Sequence, residues 1–394
     1  MTDKERIASN RCQQACLLII SAILFLSMLV GCGPPTEDLE VVEYTPLPGD
    51  DWQVSTPAEQ GLDPMLLAEL YHDAAKSKTL YGLLVVKNGH LIAEGYFNEG
   101  SVEQLSGRQS ATKSYTSALV GIALEQGCLA SLDQKMIDFF PEFAGQIEDS
   151  RKAQITIRDL LQMRGGYPDE ERTPPYLDIL FFSDDYHWLP HIVDFPLVTD
   201  PASEFHYSNL TSHLLGVIVA RACDTDLKAY AQEFLFSPIS AELGDWKTDS
   251  DNYYWGWGEM FVTARDMAKF GLLYLNDGEY AGKQVVSASW VSDSLQRYSE
   301  GIDISGWFPG LTSRYGNFRD LGYGYQWWSA SAGDHHFNYA LGHGGQLIVL
   351  LDELDIVIVT TADPLYVTLA DEGWEYESVI INLVGDFISS LPAE

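Results

Sequence analysis

Strand-forming segments stand near both ends of this 394-residue chain, with a long helical stretch between them. Near the start, Asn88-Gly89 separates two β-prone runs, and this dipeptide predicts a tight hairpin over residues 80–97. Late in the chain, residues 346–351 and 355–361 predict a second hairpin, and residues 322–330 predict a further strand. We therefore expect an α+β fold, in which one antiparallel sheet is built from both chain ends, flanked by helices, and interrupted by an inserted, mainly helical lobe.

The predicted helices share apolar periodicity, and some begin at good capping residues such as Thr263 and Ser287. They cover residues 63–75, 111–126, 156–163, 209–222, 227–236, 263–276, 287–297 and 375–389. Together with the strands they predict one catalytic-sized domain over residues 51–394. A cleft is expected where the helical lobe meets the sheet.

The beginning of the chain predicts export. Residues 1–31 combine a basic start with an almost wholly apolar run over residues 17–30, as a signal peptide does. The quartet Leu-Val-Gly-Cys that ends at Cys32 resembles a bacterial lipoprotein cleavage box, which implies cleavage before Cys32 and lipid on its sulfur. The lipid would hold the protein at a membrane, on the periplasmic side or at the cell surface, without spanning it. An uncleaved anchor is the alternative, although the run is short for a spanning helix.

Residues 32–50 are rich in proline and acidic residues, and they predict a flexible linker. Three cysteines would remain after cleavage, namely Cys32, Cys128 and Cys223. A Cys128–Cys223 disulfide could form, but both cysteines follow predicted helices and the sequence does not bring them together. Two free, buried thiols are the expected state.

The formal net charge is −34. Charge of this sign and size argues against nucleic acid as a partner and against electrostatic binding to anionic lipid. A solvated acidic surface is the expected meaning, and attraction of cationic substrates is the alternative. The oligomeric state is left open.

Ser110 and Lys113 lie three residues apart at the start of a predicted helix, so that their side chains face the same side. A lysine can take the proton of a serine hydroxyl when burial disfavours its charged form. The helix that follows is rich in small residues, which predicts close packing around the lysine. A simple helix cap at Ser110 is the alternative.

Two other segments carry polar groups suited to the same chemistry. Tyr207 and Asn209 precede a predicted helix, where a phenol can relay a proton and an amide can hold a lysine and bind a substrate carbonyl. Residues 342–346, Gly-His-Gly-Gly-Gln, lead into an apolar strand, and the N–H of Gln346 could join that of Ser110 as an oxyanion donor. The plainer alternatives are a buried tyrosine with an asparagine cap, and a glycine turn before a hairpin.

In this order, Ser-x-x-Lys, Tyr-x-Asn and His-x-Gly resemble the motifs of the serine β-lactamase-related superfamily, in the branch of class C β-lactamases, esterases and 6-aminohexanoate-dimer hydrolases. Flanking runs over residues 109–114, 155–161 and 256–261 agree. The resemblance implies Ser110 as acyl-forming nucleophile, Lys113 as its base partner and Tyr207 as proton shuttle. It also implies that Asn209 positions Lys113 and substrate, and that His343 and Gly345 form the third motif. Whether Lys113 or Tyr207 is the base is left open.

One departure bears on the substrate. β-Lactamases and penicillin-binding proteins of the family usually carry Lys-Thr-Gly where this chain has His343-Gly344-Gly345. A histidine is a weaker, pH-dependent cation, which favours a small ester or linear amide over a β-lactam. A D-alanyl-D-alanine peptidase, a weak β-lactamase and a non-catalytic ligand sensor on the same scaffold are the alternatives.

No cofactor and no metal are expected. The chain has no Gly-x-Ser-x-Gly sequence, so a nucleophile elbow of the α/β-hydrolase type is not predicted. Pro190 stands between His187 and His191 and disfavours a continuous helix that would present both as ligands. His335-His336 lies in a stretch of small and acidic residues and is expected to be solvated.

Overall fold

The computed structural model describes residues 34–49, 51–169, 187–303, 316–364 and 371–393. The predicted signal peptide and Cys32 lie outside these ranges. The chain divides into two units, residues 1–42 and 43–394. The described part of the first unit contains the short helix α1 (Thr36–Leu39). All other elements belong to the second unit.

Within the described residues, eight strands form one antiparallel sheet in the order β2-β1-β12-β11-β10-β9-β8-β7. These strands are β1 (Leu80–Lys87), β2 (His90–Tyr96), β7 (Ser299–Glu300), β8 (Arg319–Tyr323), β9 (Trp328–Ala332), β10 (His335–Gly342), β11 (Gln346–Leu351) and β12 (Ile356–Ala362). Two short ladders pair β3 (Ser106–Gly107) with β4 (Phe261–Val262), and β5 (Glu279–Tyr280) with β6 (Lys283–Gln284). The sheet thus joins an early hairpin to late strands, which confirms the predicted α+β architecture.

The first hairpin follows from its turn. Asn88 and Gly89 have φ angles of 49° and 73°, which these two residue types tolerate better than others. Lys87 then pairs with His90, and on its other side β1 pairs with β12, where Val85 faces Ile358. The pairing of β1 with β12 joins the strands from the beginning of the chain to those from its end in one sheet.

The longer helices begin where capping residues predict. The side chain of Asp63 accepts from the N–H of Met65, and that of Thr263 accepts from the N–H of Asp266. The helices are α2 (Pro64–Ala74), α3 (Thr112–Glu125), α4 (Pro141–Ala144), α5 (Ile157–Leu161), α6 (His191–Asp194), α7 (Asn209–Ala222), α8 (Leu227–Ala231), α9 (Ala264–Leu275), α10 (Ala288–Leu295) and α11 (Asp371–Ser390). The predicted helix 227–236 is interrupted, since α8 passes into a π-helix over Gln232–Phe236.

The core lies between the sheet and the helical lobe. Helix α9 packs against β1, β11 and β12, while α3 packs against α7. Tyr115 of α3 stacks on Phe270 of α9 with ring centroids 3.9 Å apart, so that the two groups of helices share one buried layer. Helix α3 is therefore buried along most of its length.

Two late segments differ from prediction. Residues 322–330 do not form one strand, because the chain turns between β8 and β9, where Gln326 has a φ of 61°. Strand β10 was not predicted, and its first residue His335 is buried rather than solvated, in contact with the Glu353 carboxylate and the Leu391 carbonyl. The partners that bury His335 come from distant parts of the chain, so local composition did not indicate them.

Cys128 and Cys223 form a disulfide, with Cα atoms 5.1 Å apart. The expectation of two free thiols is wrong. Each cysteine follows one of two helices, α3 and α7, that pack against each other, and this places the ends of both helices together. Because the two cysteines are separated by 95 positions in sequence, the sequence alone did not indicate that they are close in space.

The last part of the predicted linker belongs to the second unit and bonds other residues of that unit. The N–H of Glu94 donates to the carbonyl of Tyr44 (2.9 Å), and the guanidinium of Arg265 donates to the carbonyl of Leu47 (2.8 Å). Arg265 is buried and also bonds the buried Glu94 carboxylate through two nitrogens, at 2.8 and 2.7 Å. Residues 44–47 are therefore bonded to β2 and to α9.

Candidate active site

Ser110 lies in a 3-10 turn, Gln109–Ala111, that leads into α3, and Lys113 is the second residue of that helix. Lys113 Nζ donates to Ser110 Oγ over 2.9 Å. The lysine side chain is 1% exposed, whereas Ser110 is half-buried. Lys113 is thus shielded from water, whereas Ser110 keeps some exposure. Ser110 does not cap α3, which has no side-chain cap.

Further oxygen atoms surround the amine of Lys113. It donates to Asn209 Oδ1 over 2.7 Å and to the carbonyl oxygen of Trp257 over 3.1 Å. The ring of Tyr207 lies beside it, with its centroid 4.8 Å from Nζ. Together with Ser110, these partners come from three separate segments, around residues 110, 207–209 and 257, and the amine is the point where they meet.

The start of α7 places Tyr207 and Asn209. Ser208 caps this helix by accepting from the N–H of Thr211 (3.2 Å), which leaves the Asn209 side chain available to Lys113. The alternative in which Asn209 is the cap does not apply. Tyr207 is buried and stacks on Trp328 of β9 with a centroid distance of 5.6 Å, so that its ring is held between the sheet and the lysine.

The third predicted segment forms the turn between β10 and β11, and it meets the Ser110 turn through Gly342. A side chain on Gly342 would overlap the carbonyl oxygen of Arg108, two residues before Ser110. Gly344 and Gly345 have φ angles of 85° and 93°, which favour glycine. Gln346 is fully buried, and its side chain accepts from Arg108 Nη1 (3.1 Å). The oxyanion role of its N–H stays a prediction.

His343 is fixed by a residue that the sequence did not single out. Its Nδ1 lies 2.9 Å from Oε2 of Glu377, and the N–H of Gly344 donates to the same oxygen over 2.9 Å. Glu377 belongs to α11 and its side chain is 0% exposed. Glu377 lies one turn before Ile381, on the apolar face of the helix predicted at the end of the chain. A glutamate on such a face could have been recognised from the sequence as a candidate functional residue. Trp257 contributes a backbone carbonyl, which no side-chain motif reveals.

A cavity of about 370 Å³ is lined by Tyr207, whereas neither Ser110 nor Lys113 lines it. Phe205, Tyr298 and Ile302 also line it. Arg164 also lines it and is held by the carbonyls of Ala202 and Ser203, at 2.6 and 2.8 Å. The cavity therefore gives a small molecule room beside the buried phenol.

Across the described ranges, no group of three or more histidine, cysteine, aspartate or glutamate residues is arranged to hold a metal ion. His187 and His191 were weighed as metal ligands from their spacing. Burial lowers the pKa of His191 to about 4. His187 instead pairs with Asp251 at 3.0 Å. In the same described residues, we find no helix with the length and apolar character needed to cross a membrane.

The chain is similar to several known proteins. The Beta-lactamase family model matches residues 79–376. The 6-aminohexanoate-dimer hydrolase of Paenarthrobacter ureafaciens is 25% identical over 288 residues, 70% of either chain. Beta-lactamase-like protein 2 of Dictyostelium discoideum is 25% identical over 201 residues, which cover 43% of this chain and 35% of that protein. The structure of EstCE1, a hydrolase with promiscuous acyltransferase activity, has a TM-score of 0.60 at 17% identity, covering 79% of this chain and 94% of that one.

Proposed function

Because the chain belongs to the Beta-lactamase family, we propose that it is a serine hydrolase that cleaves a small ester or linear amide through an acyl-enzyme on Ser110. The observation that carries this proposal is the 2.9 Å contact between Lys113 Nζ and Ser110 Oγ. Lys113 is buried, and Ser110 is half-buried. A hydroxyl needs such a neighbour to become a nucleophile.

In the proposed reaction, Ser110 Oγ attacks the substrate carbonyl carbon while its proton passes to Lys113 or to ionised Tyr207. The carbonyl oxygen becomes an oxyanion that accepts from the N–H groups of Ser110 and Gln346, each worth about 3–4 kcal/mol in systems of this type. Tyr207 returns the proton to the leaving group as the carbon–leaving-group bond breaks. Water then attacks the acyl ester and releases the acid, and Ser110 regains its proton.

The surroundings of His343 favour a substrate without an anionic group, because such a substrate does not need a cation at this position. His343 already pairs with the buried carboxylate of Glu377. The negative charge of that carboxylate disfavours binding of a second carboxylate, from a substrate, at the same position. Esters and linear amides do not need such a contact. Two similar proteins are named as a 6-aminohexanoate-dimer hydrolase and as EstCE1, a hydrolase with promiscuous acyltransferase activity, and both names agree with this preference.

We also propose that the protein acts outside the cytoplasm, anchored through lipid on Cys32. The Cys128–Cys223 disulfide supports this location, because such bonds persist mainly in oxidising compartments. Growth with a radiolabelled fatty acid tests the anchor. Incorporation that is lost in Cys32→Ser supports it, and unlabelled full-length protein contradicts it.

The enzymatic proposal is tested by labelling with a fluorophosphonate and mapping the modified peptide. Label on Ser110 that disappears in Ser110→Ala supports a serine hydrolase, and a well-folded protein that is not labelled supports the ligand sensor instead. Rates on p-nitrophenyl butyrate, nitrocefin and a 6-aminohexanoate dimer then rank the substrate classes. Fastest turnover of nitrocefin would contradict the ester or amide preference.

A further inference from the structure

A side-chain hydrogen bond joins the residue before Ser110 to the loop that supplies an acceptor to Lys113. Gln109 Nε2 donates to Glu259 Oε1 over 2.8 Å. Gln109 immediately precedes Ser110, and Glu259 follows Trp257 by two residues. The bond therefore spans the two backbone segments between which the Lys113 amine is held.

Both partners hold an unfavourable backbone conformation. Gln109 has a φ of 48° and Glu259 a φ of 55°, a left-handed region that residues with a side chain rarely adopt. Such conformations persist only when the surroundings impose them, and they are common at functional sites. Here each strained residue is bonded to the other, so that each side chain helps to hold its partner's backbone.

The neighbouring residues leave room for this pair. Gly107 lies against it, because a Cβ there would be 3.3 Å from Glu259 Oε2 and 3.5 Å from Gln109 Nε2. The backbones also run side by side, with Gly107 paired to Phe261 and the N–H of Arg108 donating to the carbonyl of Met260 (2.8 Å). The side-chain bond extends this short ladder toward Ser110.

We propose that Glu259 is a positioning residue, which acts through Gln109 to set Ser110 Oγ against Lys113 Nζ. The inference rests on the proposed function, since it concerns the reactivity of Ser110. An ionised carboxylate can only accept, so Glu259 also fixes the orientation of the Gln109 amide. A displacement of the nucleophile by a fraction of an ångström is enough to slow attack severalfold or more.

The test uses glycine variants, because glycine removes each side chain and still accepts the left-handed backbone. These are Glu259→Gly, Gln109→Gly and the double variant, and an exchange variant combines Gln109→Glu with Glu259→Gln and reverses the bond. Asn88→Gly is the matched control. Asn88 has a φ of 49° and its amide bonds Gln60 Oε1 (3.0 Å) in the distant hairpin turn.

We expect each single glycine variant to react with a fluorophosphonate about tenfold more slowly at Ser110, with the KM for p-nitrophenyl butyrate nearly unchanged. The double variant should be no slower than the slower single variant, because both remove the same bond. The exchange variant should recover most of the rate, and Asn88→Gly should react like the wild type.

Labelling of the glycine variants at the wild-type rate, with Ser110→Ala unlabelled, overturns the positioning role and leaves the proposed function standing. An exchange variant that unfolds at the wild-type temperature yet stays slow also overturns it. The exchange variant keeps the test decisive if a glycine variant fails to fold. A wild-type protein that is never labelled overturns the proposed function and the positioning role together.

Discussion

Cys128 is covalently joined to Cys223 just beyond the ends of α3 and α7, the helices that present Lys113 and Asn209 at their beginnings. The two helices are thus fastened at both ends, by a disulfide at one and by the 2.7 Å bond from Lys113 to Asn209 at the other. The covalent link stabilises the frame in which the amine and the amide meet.

Removal of the disulfide should destabilise the fold without changing its architecture. Because the cysteines are separated by 95 positions in sequence, the chain-entropy treatment predicts that Cys128→Ala with Cys223→Ala lowers the free energy of unfolding by about 4–5 kcal/mol. Urea unfolding of the oxidised wild type and the double variant measures the difference. Reductant should lower the midpoint of the wild type alone, and equal midpoints for both oxidised proteins would contradict the prediction.

Replacement of the buried amine should remove reactivity and also reduce stability. Lys113→Met leaves the acceptors on Asn209 and Trp257 without this donor, a cost of about 1–3 kcal/mol. Loss of the amine, whether it accepts the Ser110 proton itself or supports Tyr207 in that role, should slow ester hydrolysis by about 10²–10⁴-fold. Steady-state rates and urea unfolding measure the two effects. A Lys113→Met enzyme within a few-fold of the wild-type rate would argue against any role of this amine in proton transfer.

Glu377 should support activity from a distance. Glu377→Ala removes the acceptor shared by His343 and the N–H of Gly344, and should cost about 1–3 kcal/mol of stability together with part of the esterase rate. Glu377→Gln keeps one acceptor oxygen and should retain more of both. Rates and unfolding midpoints of the two variants are the measurement, and equal losses would show that the hydrogen bonds to Glu377 Oε2 do not matter.

The buried His335 predicts a pH dependence of stability. Burial alone would lower the pKa of His335, but its contacts with the Glu353 carboxylate and the Leu391 carbonyl raise it overall. The stabilisation from the protonated ring is therefore complete below the unfolded pKa of about 6.5 and is lost as pH rises through the folded pKa. The melting temperature of the wild type should fall relative to His335→Gln as the pH rises from about 6.5 through the raised folded pKa of His335. Parallel curves for the two proteins would contradict this.

Local signals predicted much of the fold. The Asn88-Gly89 turn, the cap at Thr263 and the three-residue spacing of Ser110 and Lys113 depend only on neighbouring residues, and the structure contains all three features. The meeting of Tyr207 and Asn209 with this pair was expected from a family resemblance and not from local sequence.

What the sequence did not predict depends on long-range packing or on the backbone. The disulfide partner of Cys128 lies 95 residues away, and the linker residue Leu47 is held by Arg265 through its carbonyl. Trp257 likewise acts through a carbonyl, which every residue type carries. Such contacts leave no pattern in the side chains near them in sequence.

The most direct test is mass spectrometry of the enzyme quenched during turnover of p-nitrophenyl butyrate. An acyl-enzyme mechanism predicts a butyryl group on the peptide that contains Ser110, with a burst of nitrophenol matching its formation, and neither in Ser110→Ala. Turnover that survives in Ser110→Ala, or a butyryl group only on another residue, would contradict it.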